Sequence, residues 1–254
     1  MIDQMTKQKL LMTGNEAMAQ GAIAAGCRFY AGYPITPQNE LIGYMAKHLP
    51  QAGGVFIQAE SELAAINMVL GASVSGVRAM TSSSSPGISL KQEGISYLAG
   101  AQLPAVIVNV MRGGPGLGNI AAAQSDYFQS TRPGGHGDYR QIVLAPASAQ
   151  EAYDFMPLAF TLADKYRNPV MVLGDGMLGQ MMEPLITYRK SHIANRGDKR
   201  LAISHKQKPW ALTGCKGRKP NVIKSFFMQE GGLEKHNLVL QKKYARIESR
   251  EQRW

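Results

Sequence analysis

Six short runs rich in β-branched and aromatic residues, at 28–33, 55–59, 78–81, 105–109, 142–145 and 170–174, are separated by longer stretches with apolar residues three or four apart. Strand-like and helix-like segments in such alternation imply βαβ crossovers, which return each strand parallel to the one before. The intervening segments 15–25, 38–48, 61–72, 87–99 and 149–165 have helical length and are rich in Ala, Leu and Met. The strands read as nearly unbroken apolar runs, as a sheet covered on both faces requires. Residues 1–185 are therefore expected to form one α/β domain, a doubly wound parallel sheet, with its ligand where the strands end.

A chain of 254 residues, 44% hydrophobic and 18% charged, buries a core without disulfides or a structural metal. Cys27 and Cys215 have no ligand-like spacing, so no zinc site or iron–sulfur cluster is expected from this chain alone. Near the start, Lys7 and Lys9 precede only Leu10, Leu11 and Met12, too short a stretch for a secretory signal, and no apolar run reaches membrane-spanning length. A soluble, cytoplasmic protein is expected, with neither membrane nor nucleic acid as a partner.

The net charge of +10 is unevenly placed, with 11 Lys and Arg against 13 Asp and Glu in residues 1–185, and 17 against 5 in residues 186–254. That basic tail lacks nucleic-acid-reading motifs, so it reads as a solvated face or a subunit contact, with polyanion binding as the other reading. It comprises a linker to about 208, an aromatic knot at 209–214 around Trp210, and a helix after Gly232 with Leu233, Leu240, Tyr244 and Ile247 on one stripe. Such a stripe either folds back on its own domain or docks on a partner. Ser82 to Ser85 reads only as a turn into a helix.

The strand–helix corners are where chemistry is expected. At 33–37, Tyr-Pro-Ile-Thr-Pro places Thr36 at the N-cap and Pro37 at the first helical position, which is either simple capping or an anion-binding helix end. At the next corner, Glu60 either complements a helix dipole or sits in a crevice facing a nitrogen heterocycle, where it would hold a proton on a ring nitrogen. Glu62, one step into the helix, reads as the solvated member of the pair. Arg112 opens a glycine-rich loop, Gly113 to Gly118, and is suited either to a structural ion pair or to a bidentate grip on a carboxylate or phosphate. The loop has neither GxGxxG order nor a GK[ST] ending, which counts against a nicotinamide dinucleotide site. His136 has no triad or metal partner at a suitable spacing and reads as loop packing.

The ordered set YPITP at 33–37, QAESE at 58–62, SPGISLKQEGISYLAGAQLP at 85–104, VMRGGPGLGN at 110–119, GGHGDY at 134–139 and LGDGMLGQMMEP at 173–184 closely resembles the α subunit of 2-oxoacid:ferredoxin oxidoreductases, most of all the 2-oxoisovalerate, branched-chain type. The match runs from about Thr13 to Tyr244. The resemblance implies a thiamine diphosphate enzyme in which this chain supplies the pyrimidine-binding domain, residues 1–185. A β subunit would hold the diphosphate and magnesium, and small γ and δ subunits would complete the complex, with 4Fe-4S clusters on δ. The implied reaction is oxidative decarboxylation of a 2-oxoacid with coenzyme A to acyl-CoA and CO2, with electrons passing to ferredoxin.

Carried over by position, Glu60 would bond N1′ of the aminopyrimidine and favour the imino form that deprotonates thiazolium C2. Thr36 and Arg112 would contact the substrate's oxo and carboxylate groups. The stretch Leu117-Gly118-Asn119-Ile120 lacks a cation for a second carboxylate, favouring a branched apolar substrate over 2-oxoglutarate; a pyruvate enzyme, or an interaction subunit without catalysis, is the alternative. Gly174-Asp175-Gly176 imitates the start of a thiamine diphosphate–magnesium motif without its Asn-Asn pair, so Asp175 is not assigned to metal. Residues 186–254 would be a basic linker and a C-terminal helix, where family members begin a further α/β domain.

Overall fold

A computed structural model describes residues 7–132, 134–188 and 208–252. Its centre is a six-stranded parallel sheet of β2 (Phe29–Gly32), β3 (Val55–Gln58), β4 (Ala79–Ser83), β5 (Ala105–Met111), β6 (Ile142–Leu144) and β7 (Pro169–Asp175), in the order β3-β2-β4-β5-β7-β6. Each of these strands falls on one of the six sequence runs. Helices α1 (Gly14–Ala24), α2 (Asn39–His48) and α6 (Ala149–Tyr166) bury Met18, Leu41, Met45 and Met156 against one face of the sheet. On the other, α3 (Glu62–Val74) and α4 (Ser85–Gly100) bury Ile66, Val69, Ile88 and Ile95. The expected doubly wound α/β architecture is present.

Alternation along the strands assigns each side chain its layer. In β4, Met80 belongs to the α1/α2/α6 core and Ala79 to the α3/α4 core. Thr81 and Ser83 therefore share the face of Ala79, and Ser82 that of Met80.

The sequence runs gave no hint of an antiparallel ribbon of β1 (Lys7–Thr13) and β8 (Met182–Tyr188), paired in register throughout. Met12 and Leu185 join Ala149 and Tyr153 in a small satellite core. Thr13 then starts α1 through a capping box, its hydroxyl accepting from Glu16 N–H while the Glu16 carboxylate accepts from Thr13 N–H. Short α5 (Tyr127–Thr131) and α7 (Gly176–Gln180) sit in the loops after β5 and β7. Because β8 continues to Tyr188, the 185 boundary falls within a strand. Most of the expected linker, at 189–207, lies outside the described residues.

The stripe on α8 (Gly232–Glu251) folds back on its own domain: Leu240 and Tyr244 are buried and Ile247 packs on the α1/α2/α6 core, whereas Leu233 is exposed. His236 meets the Gly100 carbonyl, Lys243 donates to the Arg167 carbonyl, and the Tyr166 hydroxyl donates to Glu251. Gly100 and Arg167 lie just ahead of β5 and β7, so α8 occupies the end of the sheet opposite the strand C-termini. Trp210 packs against the α3/α4 core beneath the Arg167 guanidinium. Among the described residues, no helix is long and apolar enough to cross a membrane.

Candidate functional site

The chain leaves β2 toward β3 on one side and leaves β4 toward β5 on the other, so the crevice of this sheet opens between the C-terminal ends of β2 and β4. A chain of buried hydroxyls forms one wall. Ser82 Oγ donates to Gln38 Oε1 at 2.6 Å, which leaves the Tyr30 hydroxyl to donate to Ser82 Oγ at 2.6 Å. Burial pushes the Tyr30 phenol far above its ordinary range, against the weaker opposing effect of Ser82. Ser82 and Ser83 are thus the end of a strand and part of the crevice wall, correcting the reading of the serine run as a turn alone.

Thr36 and Pro37 do not start α2, as the sequence reading expected; the helix begins at Asn39, with Gln38 at the N-cap position. The corner is pinned from α1 instead, where Asn15 Nδ2 donates to the Pro37 carbonyl and to Glu40, each at 2.8 Å. Thr36, half-buried, accepts at its carbonyl from Arg112 Nη1 at 3.1 Å. Arg112 Nη2 donates to the Leu117 carbonyl, also at 3.1 Å. Thr36 and Arg112 are therefore in direct contact.

Arg112 is only 7% exposed, and among the described residues it forms no ion pair. Its Nε is buried without a hydrogen-bond partner, as is the Ser84 hydroxyl ahead of α4. A buried, partly unsatisfied guanidinium is the kind of group that a ligand carboxylate completes. Its backbone is fixed by Ser85, whose hydroxyl accepts from Arg112 N–H and donates to Asp126; Asn109 also donates to Asp126. The loop beyond closes tightly: Gly118 has φ +62°, and a Cβ there would lie 1.6 Å from the Gly113 carbonyl oxygen.

The two corner glutamates exchange the surroundings expected of them. Glu60 precedes the N-cap Ser61 and is exposed. Glu62 is the first residue of α3 and only 6% exposed, because it heads the helix's buried stripe of Ala65, Ile66, Val69 and Ser73. Ser83 Oγ lies 3.5 Å from Glu62 Oε1. Gly87 on α4 makes room for the pair: a Cβ there would sit 2.0 Å from Ser83 Oγ and 2.6 Å from Glu62 Oε1.

Other singled-out residues have local work. Asp175 caps α7 by accepting from Leu178 N–H and takes a bond from Gln124. His136 packs edge-on against Tyr97, as the loop-packing reading expects. None of Glu60, Thr36 or Arg112 lines a hollow of about 200 Å³ between Met111, Leu173 and Pro146 at the ends of β5 and β7.

The family model for the pyruvate flavodoxin/ferredoxin oxidoreductase thiamine diphosphate-binding domain matches residues 20–253. The chain belongs to this family. It is 53% identical over 244 residues to the ketoisovalerate oxidoreductase subunit VorB of Methanothermobacter thermautotrophicus, spanning 96% of this chain and 66% of that one. The 2-oxoglutarate synthase subunit KorA of Methanocaldococcus jannaschii is 49% identical over 185 residues, 73% of this chain and 50% of that one. A solved 2-oxoglutarate:ferredoxin oxidoreductase from Magnetococcus marinus, with 2-oxoglutarate, coenzyme A and succinyl-CoA bound, superposes with TM-score 0.77 at 34% identity, covering 95% of this chain and 45% of that one. The chain thus spans two thirds or less of the length of these oxidoreductase relatives.

The sequence reading did not single out Gln38, Ser82, Ser83 and Lys91, or the inward position of Glu62. For Glu62 and Lys91 the signal was available: each falls on the helical period of its own buried stripe, Glu62 with Ile66 and Val69, Lys91 with Ile88 and Ile95.

Proposed function

We propose that this chain is the pyrimidine-side subunit of a thiamine diphosphate-dependent 2-oxoacid:ferredoxin oxidoreductase, converting a 2-oxoacid and coenzyme A to acyl-CoA and CO2 with electrons delivered to ferredoxin. The observation that carries this reading is the contact of a buried guanidinium, Arg112, with Thr36 at the strand ends of a chain of this family. Thiamine diphosphate supplies the carbon nucleophile and electron sink that decarboxylation of a 2-oxoacid requires.

The residues of this chain fit its aminopyrimidine end. A carboxylate that holds a proton on a ring nitrogen must be shielded from water and retain a free lone pair. Glu60, ahead of the α3 cap, has no ion pair among the described residues; exposed in the chain alone, it would be shielded where the β subunit that holds the diphosphate closes the same site. Arg112 and Thr36 would orient the substrate's carboxylate and oxo groups. The diphosphate and magnesium would be held by a β subunit, with γ and δ subunits, the latter carrying 4Fe-4S clusters, leading to ferredoxin. Residues 1–185 would be the pyrimidine-binding domain, and 186–254 the arm leading toward a further domain.

The substrate we favour is 2-oxoisovalerate. The similarity to VorB runs through 96% of the chain, against 73% for KorA, and the loop beside Arg112 presents exposed Leu117 and Ile120 rather than a cation. In the reconstituted complex, Glu60→Gln is expected to reduce turnover by ~10² or more, and turnover within about threefold of wild type would remove Glu60 from the mechanism. A loss in Glu62→Gln alone would move the role to the buried glutamate. Comparison of kcat/KM for 2-oxoisovalerate, 2-oxoglutarate and pyruvate decides the substrate.

A further inference from the structure

Strand β5 reads Ala-Val-Ile-Val-Asn-Val-Met, and every residue of it is buried. Asn109 is its one polar side chain, and an apolar residue of that size would pack in this layer without needing partners. Its partners are therefore informative. Asn109 Oδ1 accepts from Ser85 N–H at 3.1 Å, and Asn109 Nδ2 donates to Asp126 Oδ2 at 2.9 Å. The Ser85 hydroxyl reaches the same Asp126 oxygen at 2.6 Å. Asp126 is half-buried and has no ion pair among the described residues.

The carboxylate decides which way these groups point. Ser85 Oγ has two acceptors within reach, Asp126 Oδ2 at 2.6 Å and the Arg112 carbonyl at 3.2 Å. The short bond to a charged acceptor prevails, which turns the hydroxyl proton away from Arg112 and leaves a lone pair for the Arg112 N–H at 3.0 Å. An ionised carboxylate only accepts, so it also fixes the Asn109 amide, with its nitrogen toward residue 126 and its oxygen toward the start of α4.

Asp126 arrives from the far end of the glycine-rich loop. The neck of that loop is closed by Gly113 N–H on the Ala121 carbonyl at 2.9 Å, with Arg112 and Ala122 bridged antiparallel. On the returning arm, Gln124 donates to Asp175 at 2.6 Å. A Cβ at Gly176 would lie 3.1 Å from Pro37 Cγ and 3.4 Å from Ala122. The Gly-Asp-Gly segment at 174–176 thus backs the loop and the Thr36 corner at once. Between them the Arg112 guanidinium spans the Thr36 and Leu117 carbonyls, so a shift of the Arg112 backbone displaces both bonds.

We propose that Asp126 is a positioning residue for Arg112: through Ser85 and Asn109 its carboxylate locks the end of β5 to the start of α4, and so sets where the guanidinium stands at the strand ends. This rests on the reading of Arg112 as the group that takes the substrate carboxylate.

In the reconstituted complex, Asp126→Ala should raise the KM for 2-oxoisovalerate roughly tenfold with kcat within about threefold of wild type, the signature of a displaced binding group. In an Arg112→Met background the same change should alter KM by less than about twofold, because it acts through a guanidinium that is no longer there. An unchanged KM in Asp126→Ala, or a tenfold rise that persists without Arg112, overturns the proposal. In the full chain, solvent exchange of the Arg112 Nε proton, assigned by loss of its NMR signal in Arg112→Met, should quicken by about tenfold or more in Asp126→Ala; unaltered exchange overturns the link. If Arg112→Met leaves KM as it was, it is the substrate reading of Arg112 that fails, and proton exchange still decides whether Asp126 positions it. Ser85→Ala removes only the connecting hydroxyl and is expected to reproduce both effects, so the proposal stays testable where Asp126→Ala does not fold.

Discussion

Replacing Lys91 by Met should change how the stability of the chain depends on pH, quite apart from catalysis. Lys91 has its ordinary value of 10.5 lowered to about 7 by burial, with Glu62 opposing. Between these values the unfolded chain binds a proton that the folded chain does not, so stability rises with pH across that window and is level on either side. At about 1.4 kcal/mol per pH unit, the ammonium disfavours the folded chain by about 4–5 kcal/mol below pH 7, an effect that vanishes above 10.5. Lys243, likewise lowered to about 7 by burial, and Cys27, raised to about 12, also bend the curve. They are common to wild type and Lys91→Met and cancel in the difference.

The stability difference between the two proteins, from urea unfolding at a series of pH values, should therefore move by ~4 kcal/mol in favour of wild type between pH 7 and 10. In melting temperature that is of order 8–16 °C for a domain of this size. The slope is diagnostic, because packing differences between Met and Lys displace the whole difference curve without tilting it. Parallel curves would mean that the lysine reaches water, and the account of a sealed ammonium would be wrong.

Arg112→Met should raise the KM for the 2-oxoacid by 10²-fold or more, following the loss of a charged, hydrogen-bonded partner worth about 3 kcal/mol; an unaltered KM would remove Arg112 from substrate binding. Gly87→Ala should destabilise the chain by ~1–3 kcal/mol, since the added carbon collides with Ser83 and the Glu62 carboxylate, and denaturant unfolding with a change under about 0.5 kcal/mol would contradict that packing. With a chromogenic disulfide reagent, exposed Cys215 should react in the native chain while buried Cys27, its thiol pushed up to about 12, reacts only after unfolding. Two fast thiols would refute it.

The parallel sheet was legible because its signal is dense. Val106, Ile107, Val108 and Val110 in β5 and Val170, Met171 and Val172 in β7 are apolar on both faces, as only a doubly covered strand allows. The β1/β8 ribbon escaped because its partners are far apart in the chain and its strands are mixed in polarity, from Lys7 and Gln8 to Glu183 and Thr187. Its hydrogen bonds depend on two distant segments meeting over α6, and no local period announces that. The start of α2 was misplaced for a related reason: a Thr-Pro pair resembles a capped helix entry, yet here Asn15 of another helix holds the Pro37 carbonyl, and the first turn begins two residues later.

The crevice shows where reading corners from sequence succeeds and where it fails. The order of the chain does locate the corners, and Thr36 and Arg112 meet because they follow β2 and β5, inner strands on either side of β4, at the same end of the sheet. Which of two carboxylates two residues apart is buried within the chain is decided by helix phase, and that phase begins at the cap. Ser61 accepts from Ala64 N–H and so makes residue 62 the first of α3; from there, steps of three and four lead through Ala65, Ile66 and Val69 down the buried face. Glu60 lies ahead of the cap, outside that period, where the extended chain directs it to water. The burial of Lys91 follows by the same logic from α4, which turns residues 87, 91 and 94 toward the same interface. A basic and an acidic residue, each on the buried stripe of its own helix and each looking like a surface residue by type, are therefore brought to one interface by two phases that are separately readable. A charged residue that keeps step with apolar neighbours on a helix is in this way a pointer to a buried polar position rather than to a solvated face.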